Sequence, residues 1–247
     1  MKLKLKVFKK ILFIMLLVVF TYSTIMTGYR FIDKYRNDKL NKNITTIHNE
    51  MKEESQEYKR EQFMEPLLKI NQDAVGWINI GNTRINYPVV QGKDNEYYLN
   101  HNIKKEASEY GSIFMDYRNQ NLKNFFDTEK NIIIYGHHMK DGTMFGDLKL
   151  YKDEKFFNDN QIISFNILGQ EYKWQIFSAY VTSTDFNYIR TDFKNDVQFN
   201  EFIKSIREKS LYLNDTVPNS KDVILTLSTC SYEFEDARFV VHFKLIK

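Results

Sequence analysis

Hydrophobic and polar positions divide the chain into three parts. Residues 11–29 carry no charge, follow a run of lysines and end at Arg30. Residues 31–60 are strongly polar and contain neither Pro nor Gly, which favours a continuous helix. From about residue 71 onward, short runs rich in β-branched and aromatic residues alternate with turns, a pattern typical of strands.

The first part has the length and composition of a membrane anchor. At about 1.5 Å per residue, a helix of this length extends about 28 Å, close to the thickness of a hydrocarbon core. A cleaved signal peptide is the alternative, but the apolar segment is long for one and no small-x-small cleavage site follows it. Lysines next to such a segment belong on the cytoplasmic side. We therefore expect a single-pass cell-membrane protein, with residues 11–29 in the lipid bilayer, a cytoplasmic N-terminus and the bulk outside the cell.

These patterns predict three regions. Residues 1–30 form a basic tail and transmembrane anchor, residues 31–65 a juxtamembrane helical stalk, and residues 66–247 a β-barrel domain. Strands are predicted at residues 77–80, 84–90, 112–117, 131–135, 162–168, 171–182, 222–229 and 238–246. Short strands at this spacing favour a mainly β fold, a closed or nearly closed eight-stranded barrel with peripheral helices, over a parallel α/β sheet. Gly169 and Gln170 predict a hairpin turn between the fifth and sixth strands.

One late segment has helical rather than strand periodicity. Asn195 or Asp196 can cap its N-terminus. The helix either covers the core or forms the wall of a groove. Its apolar residues are Val197, Phe199, Phe202, Ile203 and Ile206.

The last two predicted strands alternate with a period of two. Val223, Leu225 and Leu227 share one face, and Phe239, Val241, Phe243 and Leu245 share another. If the strands pair antiparallel through residues 231–237, these apolar sets meet in the core. Cys230 and Arg238 then project together from the opposite, polar face, which Ser228 shares.

Charge and cysteine content narrow the function classes. The net charge of +3 arises in the anchor: residues 1–30 hold six of the 35 basic side chains and none of the 32 acidic ones, so the rest carries 29 against 32, net −3. No basic patch marks a nucleic-acid partner. Exported proteins usually pair their cysteines, yet Cys230 is the one cysteine of the chain.

A nucleophilic role explains a lone exported thiol. A thiolate needs a base or positive surroundings, and His137 and His138 directly follow the fourth predicted strand, where Gly136 permits a sharp turn. Arg238 cannot act as a base, but its guanidinium can donate two hydrogen bonds to an oxyanion. The alternatives are a buried structural cysteine and, for the histidine pair, two exposed loop residues or half of a metal site. His242, in the last strand, would be a solvated or pocket-lining residue. One cysteine cannot complete a zinc site, so we expect neither metal nor cofactor.

The arrangement as a whole resembles the sortases, cysteine transpeptidases of Gram-positive cell surfaces. "TLSTC" ending at Cys230, the spaced Arg238 and "YGHHM" upstream carry the resemblance, which covers roughly residue 71 to the C-terminus. "DAVGWINIGNTRINYPVVQGKDNEYYLNH", "GSIFMDYRN" and "YGHHMKDGTMFGDLKLY" are similar to the class B branch. A pilus-polymerising enzyme is disfavoured, because no Asp-Pro pair occurs and the chain ends after the last strand.

The resemblance implies a reaction and its residues. Cys230 would attack the carbonyl after Thr in a C-terminal sorting signal of a surface protein, giving a thioacyl enzyme. His137, or else His138, would transfer protons, and Arg238 would stabilise the oxyanion. The acceptor would be a peptidoglycan amine, and the motif an Asn-Pro-x-Thr or Ser/Pro-Pro-x-Thr type. Substrate-binding positions that match the family are Asn95, Leu99, Thr184, Tyr188, Ile189 and Ser228. A peptidase that releases its acyl group to water and a non-catalytic surface binding module are the alternatives.

Overall fold

The computed structural model describes residues 2–54, 60–120 and 122–246. Its helices are α1 (Lys2–Glu54), α2 (Arg60–Ile70), α3 (Phe125–Thr128), α4 (Glu154–Asp159) and α5 (Asp196–Glu208). Its strands are β1 (Ala74–Asn79), β2 (Asn86–Gln91), β3 (Ile113–Met115), β4 (Asn131–Tyr135), β5 (Ile162–Ile167), β6 (Gln170–Thr182), β7 (Ile224–Cys230) and β8 (Arg238–Ile246). Three 3-10 helices cover Tyr97–Leu99, Leu122–Asn124 and Gly146–Lys152.

The strands close into a barrel in the order β1-β2-β3-β4-β7-β8-β6-β5. Strand β1 pairs with β5 to complete the ring, and the β2–β3 and β4–β7 pairs are parallel. The predicted closed eight-stranded barrel is confirmed. The β5–β6 turn falls one residue earlier than predicted, because Leu168 and Gly169 both take positive φ (48° and 90°) and pairing resumes with Ile167 opposite Gln170.

Side chains of alternate strand positions fill the barrel interior. The predicted apolar faces of β7 and β8 belong to this core, together with the fully buried Trp174 and Phe165. Burying one such side chain contributes about 1.5–3 kcal/mol. The alternation seen in the sequence therefore set which side of β7 and β8 points inward.

The outer face of β7 and β8 is covered by helix α5. Asn195 caps the helix by accepting a hydrogen bond from the Gln198 backbone N–H (3.0 Å). Apolar α5 side chains pack against Ile224 and Val240 in a second core cluster, which also contains Phe177 and Tyr180. The helix therefore covers core, and none of its residues lines the cleft described below.

His242 corrects one expectation. The prediction that it is solvated or pocket-lining is wrong, because α5 seals this face and leaves His242 fully buried. Tyr180 Oη donates to its Nε2 and its Nδ1 donates to Thr226 Oγ1, both at 2.8 Å. Thr226 Oγ1 in turn donates to Asn131 Oδ1 (2.6 Å). Burial lowers the pKa of His242 to about 3, so this ring is neutral.

The chain forms two compact units, Met1–Lys42 and Asn43–Lys247. In the first, every described side chain from residue 6 to residue 30 is exposed. Among the described residues, α1 is the one helix long and apolar enough to cross a membrane, with a mean hydropathy of 2.1 in its most apolar window. Residues 55–59 of the predicted stalk lie outside the described residues. In the second unit, His48 of α1 stacks on Trp77 with ring centroids 3.9 Å apart.

Candidate active site

A cleft of about 430 Å³ opens at the end of the barrel where β4 and β7 finish and β8 begins. Its volume is within the range typical of small-ligand and peptide sites. All nine residues predicted for the site line it. The complete lining is Asn95, Leu99, Phe114, Tyr135, Gly136, His137, Thr184, Tyr188, Ile189, Ser228, Thr229, Cys230 and Arg238.

Cys230 and Arg238 are neighbours because of strand register. Cys230 is the last residue of β7 and Arg238 the first of β8, and the two are cross-strand partners, as predicted. Side chains of such a pair share a face, with Cβ atoms about 4.5–5.5 Å apart. The loop between them closes with a hydrogen bond from Ser231 N–H to the Ala237 carbonyl (2.8 Å), and the Cys230 thiol is partly exposed.

His137 reaches the same place through a parallel pairing. Strand β4 runs beside β7 with Tyr135 opposite Ser228, and the register continued by two residues sets His137 beside Cys230. His137 Nε2 lies 2.6 Å from the Leu99 carbonyl oxygen. Because a carbonyl can only accept, Nε2 carries the hydrogen, and in the neutral ring the lone pair is on Nδ1.

Gly136 is required for a reason other than the predicted sharp turn. Among the described residues its φ is not one of the positive values. A Cβ added there would lie 2.4 Å from Ile113 Cδ1 and 2.9 Å from Phe145 Cγ. Glycine lets the chain that carries His137 approach the barrel rim closely.

His138 does not line the cleft and instead bonds to the β7–β8 loop. Its Nδ1 donates to the Cys230 carbonyl oxygen (2.8 Å), and Tyr232 Oη donates to the His138 carbonyl oxygen (3.0 Å). Of the two adjacent histidines, His137 is therefore the one that lines the cleft with the thiol.

A carboxylate holds the same loop from the other side. Glu233 accepts hydrogen bonds from Lys152 Nζ and Ser231 Oγ. Burial alone would raise the pKa of Glu233, but these two donors outweigh it and lower the pKa to about 2. Sequence reasoning missed this contact, since Lys152 and Glu233 lie far apart in the chain.

Part of the cleft lining comes from the β6–α5 connection. Tyr188 is buried and its hydroxyl lies 2.9 Å from Ser228 Oγ. Burial is the main cause that raises the pKa of Tyr188, so the phenol stays protonated. Thr184 and Ile189 lie in the same connection, while Asn95 and Leu99 come from the segment between β2 and β3.

Sequence reasoning missed four lining residues. Gly136 was seen only as a turn residue, and Tyr135 precedes the histidines on a strand that was correctly predicted. Phe114 falls in "GSIFMDYRN", which was quoted for its similarity alone. Thr229 Oγ1 is buried and, among the described residues, has no hydrogen-bond partner. In the described part of the chain, no three His, Cys, Asp or Glu side chains cluster closely enough to hold a metal ion.

Comparison with known proteins agrees with this architecture. The Sortase domain family matches residues 78–246. Sortase B of Staphylococcus aureus is 42% identical over 250 residues, covering 99% of each chain. Sortase B of Listeria monocytogenes is 45% identical over 182 residues, covering 73% of this chain and 72% of its own.

Solved structures give the same result. A Staphylococcus aureus sortase B–substrate complex superposes with a TM-score of 0.81 at 40% identity, covering 87% of this chain and 99% of that one. Sortase B from Bacillus anthracis in complex with AAEK1 gives a TM-score of 0.77 at 43% identity, covering 88% and 99%. The chain with this barrel and cleft thus belongs to the sortase family of cysteine transpeptidases, in its sortase B branch.

Proposed function

We propose that this protein cleaves a C-terminal sorting signal after Thr and joins the released surface protein to a peptidoglycan amine. The observation that carries the proposal is the convergence of Cys230, His137 and Arg238 on one cleft from three separate chain segments. The Staphylococcus aureus relative has been solved as a complex with its substrate, which supports a substrate-binding role for the matching fold.

In the first half-reaction, Nδ1 of His137 takes the proton of the Cys230 thiol. The resulting thiolate attacks the carbonyl carbon of the Thr residue. The carbon–nitrogen bond then breaks, and the leaving amine takes a proton from His137. Because His137 Nε2–H is bound to the Leu99 carbonyl, Nδ1 is the nitrogen that exchanges the proton. The product is a thioester between Cys230 and the surface protein.

In the second half-reaction, the thioester is attacked by an amine and not by water. His137 takes a proton from the incoming amine, which attacks the thioester carbon and expels the Cys230 thiolate. An amide bond forms, the thiolate regains a proton from His137, and the enzyme returns to its starting state. All proton and acyl transfers use side chains of the cleft.

Arg238 stabilises the tetrahedral intermediates of both steps. Its position opposite Cys230 sets a guanidinium beside the carbon under attack. Its one described hydrogen bond is local, from Nη1 to the Ala237 carbonyl (3.1 Å), so further N–H groups can donate to the oxyanion.

The remaining predicted residues bind the peptide upstream of the scissile bond. Leu99 and Ile189 supply apolar contact, and Asn95 and Thr184 supply polar groups. Ser228 and Tyr188 hold each other in place through their hydrogen bond.

The enzyme works from the membrane. Residues 11–29 of α1 anchor it, the lysines before them stay in the cytoplasm, and the barrel lies outside the cell. The exposed apolar face of this helix supports lipid rather than protein as its surroundings. Both the surface-protein substrate and the peptidoglycan acceptor are met on that side.

Cleavage of a fluorogenic sorting-peptide library, with and without an amine acceptor, tests the function. A transpeptidase forms the amide product when the amine is present, and Cys230→Ala and His137→Ala each abolish it. An enzyme that releases only the hydrolysed acid would be a peptidase instead. Peptide binding that persists without any cleavage would identify a binding module.

A further inference from the structure

A buried carboxylate lies behind the cleft wall. Asp116, directly after β3, is fully buried. Its Oδ1 accepts from Arg118 N–H (2.9 Å) and Arg118 Nε (2.8 Å). Its Oδ2 accepts from Arg118 Nη2 (2.7 Å), Asn95 Nδ2 (3.0 Å) and Tyr135 Oη (2.8 Å). Two of these donors, Asn95 and Tyr135, line the cleft.

The Asp116–Arg118 pair connects three segments that build the cleft. Asn95 comes from the β2–β3 connection and Tyr135 from the end of β4. Arg118 Nη2 also donates to the carbonyl of Ile189 (3.0 Å), in the β6–α5 connection. The segments that carry Asn95, Tyr135 and Ile189 are thereby tied to one ion pair, although neither of its members lines the cleft.

We propose that Asp116 and Arg118 are positioning residues for the peptide substrate, because they set which hydrogen-bonding groups Asn95 and Tyr135 present to it. The proposal rests on the cleft being the peptide site proposed above. It assigns the pair to substrate affinity and not to the chemistry at the thiol.

Asn95 is held in one amide orientation. Its Nδ2 donates to Asp116, and its Oδ1 accepts from the Tyr117 N–H (3.1 Å). A flipped amide would set a donor against the Tyr117 donor and an acceptor against the carboxylate. The second N–H and the second lone pair of Asn95 thus stay at fixed positions for the peptide.

Tyr135 is held in one hydroxyl orientation. It has a single O–H, which it donates to Asp116, so its oxygen can only accept from the cleft. The matching ligand group is an N–H donor of the peptide, from its main chain or from an amide side chain. The cleft therefore favours a peptide that carries such a donor beside Tyr135.

Asp116 stays charged in this setting. Burial alone would raise its pKa, but the hydrogen bonds from Arg118 and Tyr135 outweigh burial and hold the pKa below its usual value. An Asp116→Asn side chain has one acceptor and one donor end. Whichever way it lies, its N–H₂ meets either Arg118 or the Asn95–Tyr135 donors, and the pattern is lost.

The test is Asp116→Asn in the full-length enzyme, with two measurements, and Arg118→Lys as a second variant. We expect KM for the sorting peptide to rise about 10- to 100-fold, the effect of losing hydrogen bonds to a charged group. The rate at which iodoacetamide alkylates Cys230 should stay within about twofold of the rate in the unsubstituted enzyme, since a small reagent does not contact Asn95 or Tyr135. Arg118→Lys, which keeps the charge but loses the fork and the reach to Ile189, should give a smaller rise.

Asp222→Asn is the matched control. Asp222 is also ion-paired, with Lys244 Nζ at 2.9 Å, but lies at the far ends of β7 and β8. The same substitution there should leave KM unchanged. A folded Asp116→Asn enzyme with unchanged KM would overturn the proposal. A rise in KM matched by an equal fall in the alkylation rate of Cys230 would overturn it too, because it would indicate general disruption of the site.

Two further measurements keep the outcome decisive. If Asp116→Asn does not fold, Tyr135→Phe removes the cleft acceptor together with its hydrogen bond to Asp116, and unchanged peptide affinity in that variant contradicts the proposal. Direct peptide binding to Cys230→Ala, with and without Asp116→Asn, measures affinity independently of turnover. Weaker binding there supports the pair even if the proposed acyl transfer itself fails.

Discussion

Single residues of the cleft owe their orientation to partners that lie outside the reaction. The Leu99 carbonyl sets the tautomer of His137, and the Cys230 carbonyl binds the ring of His138, which does not line the cleft. Two adjacent histidines on one short segment therefore have different surroundings, one in the cleft lining and one bonded to the β7–β8 loop. Chain geometry, and not residue type, separates them.

Arg238→Lys should lose most of the acyl-transfer activity. Lysine keeps the positive charge but offers no planar fork to the oxyanion, so kcat should fall about 10- to 100-fold with a smaller change in KM. Steady-state cleavage of the sorting peptide measures both values, with Cys230→Ala as the inactive reference. Near-normal turnover would contradict the role proposed for Arg238.

His242 makes the stability of the barrel depend on pH. Its pKa is about 3 in the folded protein and about 6.5 in an unfolded chain. Between these values the unfolded chain binds a proton that the folded chain lacks. The free energy of unfolding therefore rises with pH, by at most about 1.4 kcal/mol per unit, and levels off above about pH 6.5.

Urea unfolding between about pH 5 and 6.5 checks this, because in that window carboxylates with ordinary or lowered pKa values stay charged. His242→Gln is neutral at every pH and should flatten the slope. An equal slope in the variant would show that other groups cause it.

At the scale of elements, the end of β4 and the start of the following segment depend on close packing at the barrel rim. Ile113 and Phe145 leave no room for a side chain at residue 136. By contrast, a Cβ at Gly81, in the β1–β2 turn, meets nothing within 4 Å. The two glycines therefore form a matched pair for substitution.

Gly136→Ala should destabilise the barrel by about 1–3 kcal/mol, the usual cost of overpacking, and should reduce cleavage because His137 moves with the chain. Gly81→Ala should leave both properties nearly unchanged. Thermal unfolding and peptide cleavage of the two variants provide the comparison. Equal behaviour of the variants would refute the packing argument.

At the scale of the whole molecule, the exposed apolar helix α1 and the closed barrel differ in how they treat their apolar surface. The barrel buries its own apolar surface in two clusters, one inside and one under α5. The apolar segment of α1 buries none of its described side chains. We therefore expect the two units to have different surroundings, lipid for the apolar segment of α1 and water for the barrel.

Removal of residues 1–30 should release the enzyme from the membrane without loss of activity. The full chain should sediment with membranes and resist alkaline carbonate, whereas residues 31–247 should stay in solution and cleave the peptide with unchanged kcat/KM. A full chain found in the soluble fraction would contradict the anchor. A shortened N-terminus in the mature protein would identify a cleaved signal instead.

Local patterns in the sequence were sufficient for the elements and for part of the site. A period of two gave the inward faces of β7 and β8 and the pairing of Cys230 with Arg238, because side-chain direction along a strand alternates whatever surrounds it. The resemblance of short motifs supplied the remaining cleft residues, from Asn95 to Ile189. Tyr135, Thr229 and the Asp116–Arg118 pair were missed, since their importance depends on contacts between distant segments.

The sequence by itself determined the strand positions, the apolar anchor and the lone thiol beside an arginine, all of which follow from neighbours in the chain. Only the tertiary structure decided which of His137 and His138 enters the cleft, that His242 is buried under α5, and that one carboxylate behind the cleft ties its walls together. The physical reason is that burial and hydrogen-bond pairing are properties of the whole packed molecule. A residue meets its partners through space, and most partners of this cleft lie tens of residues away along the chain.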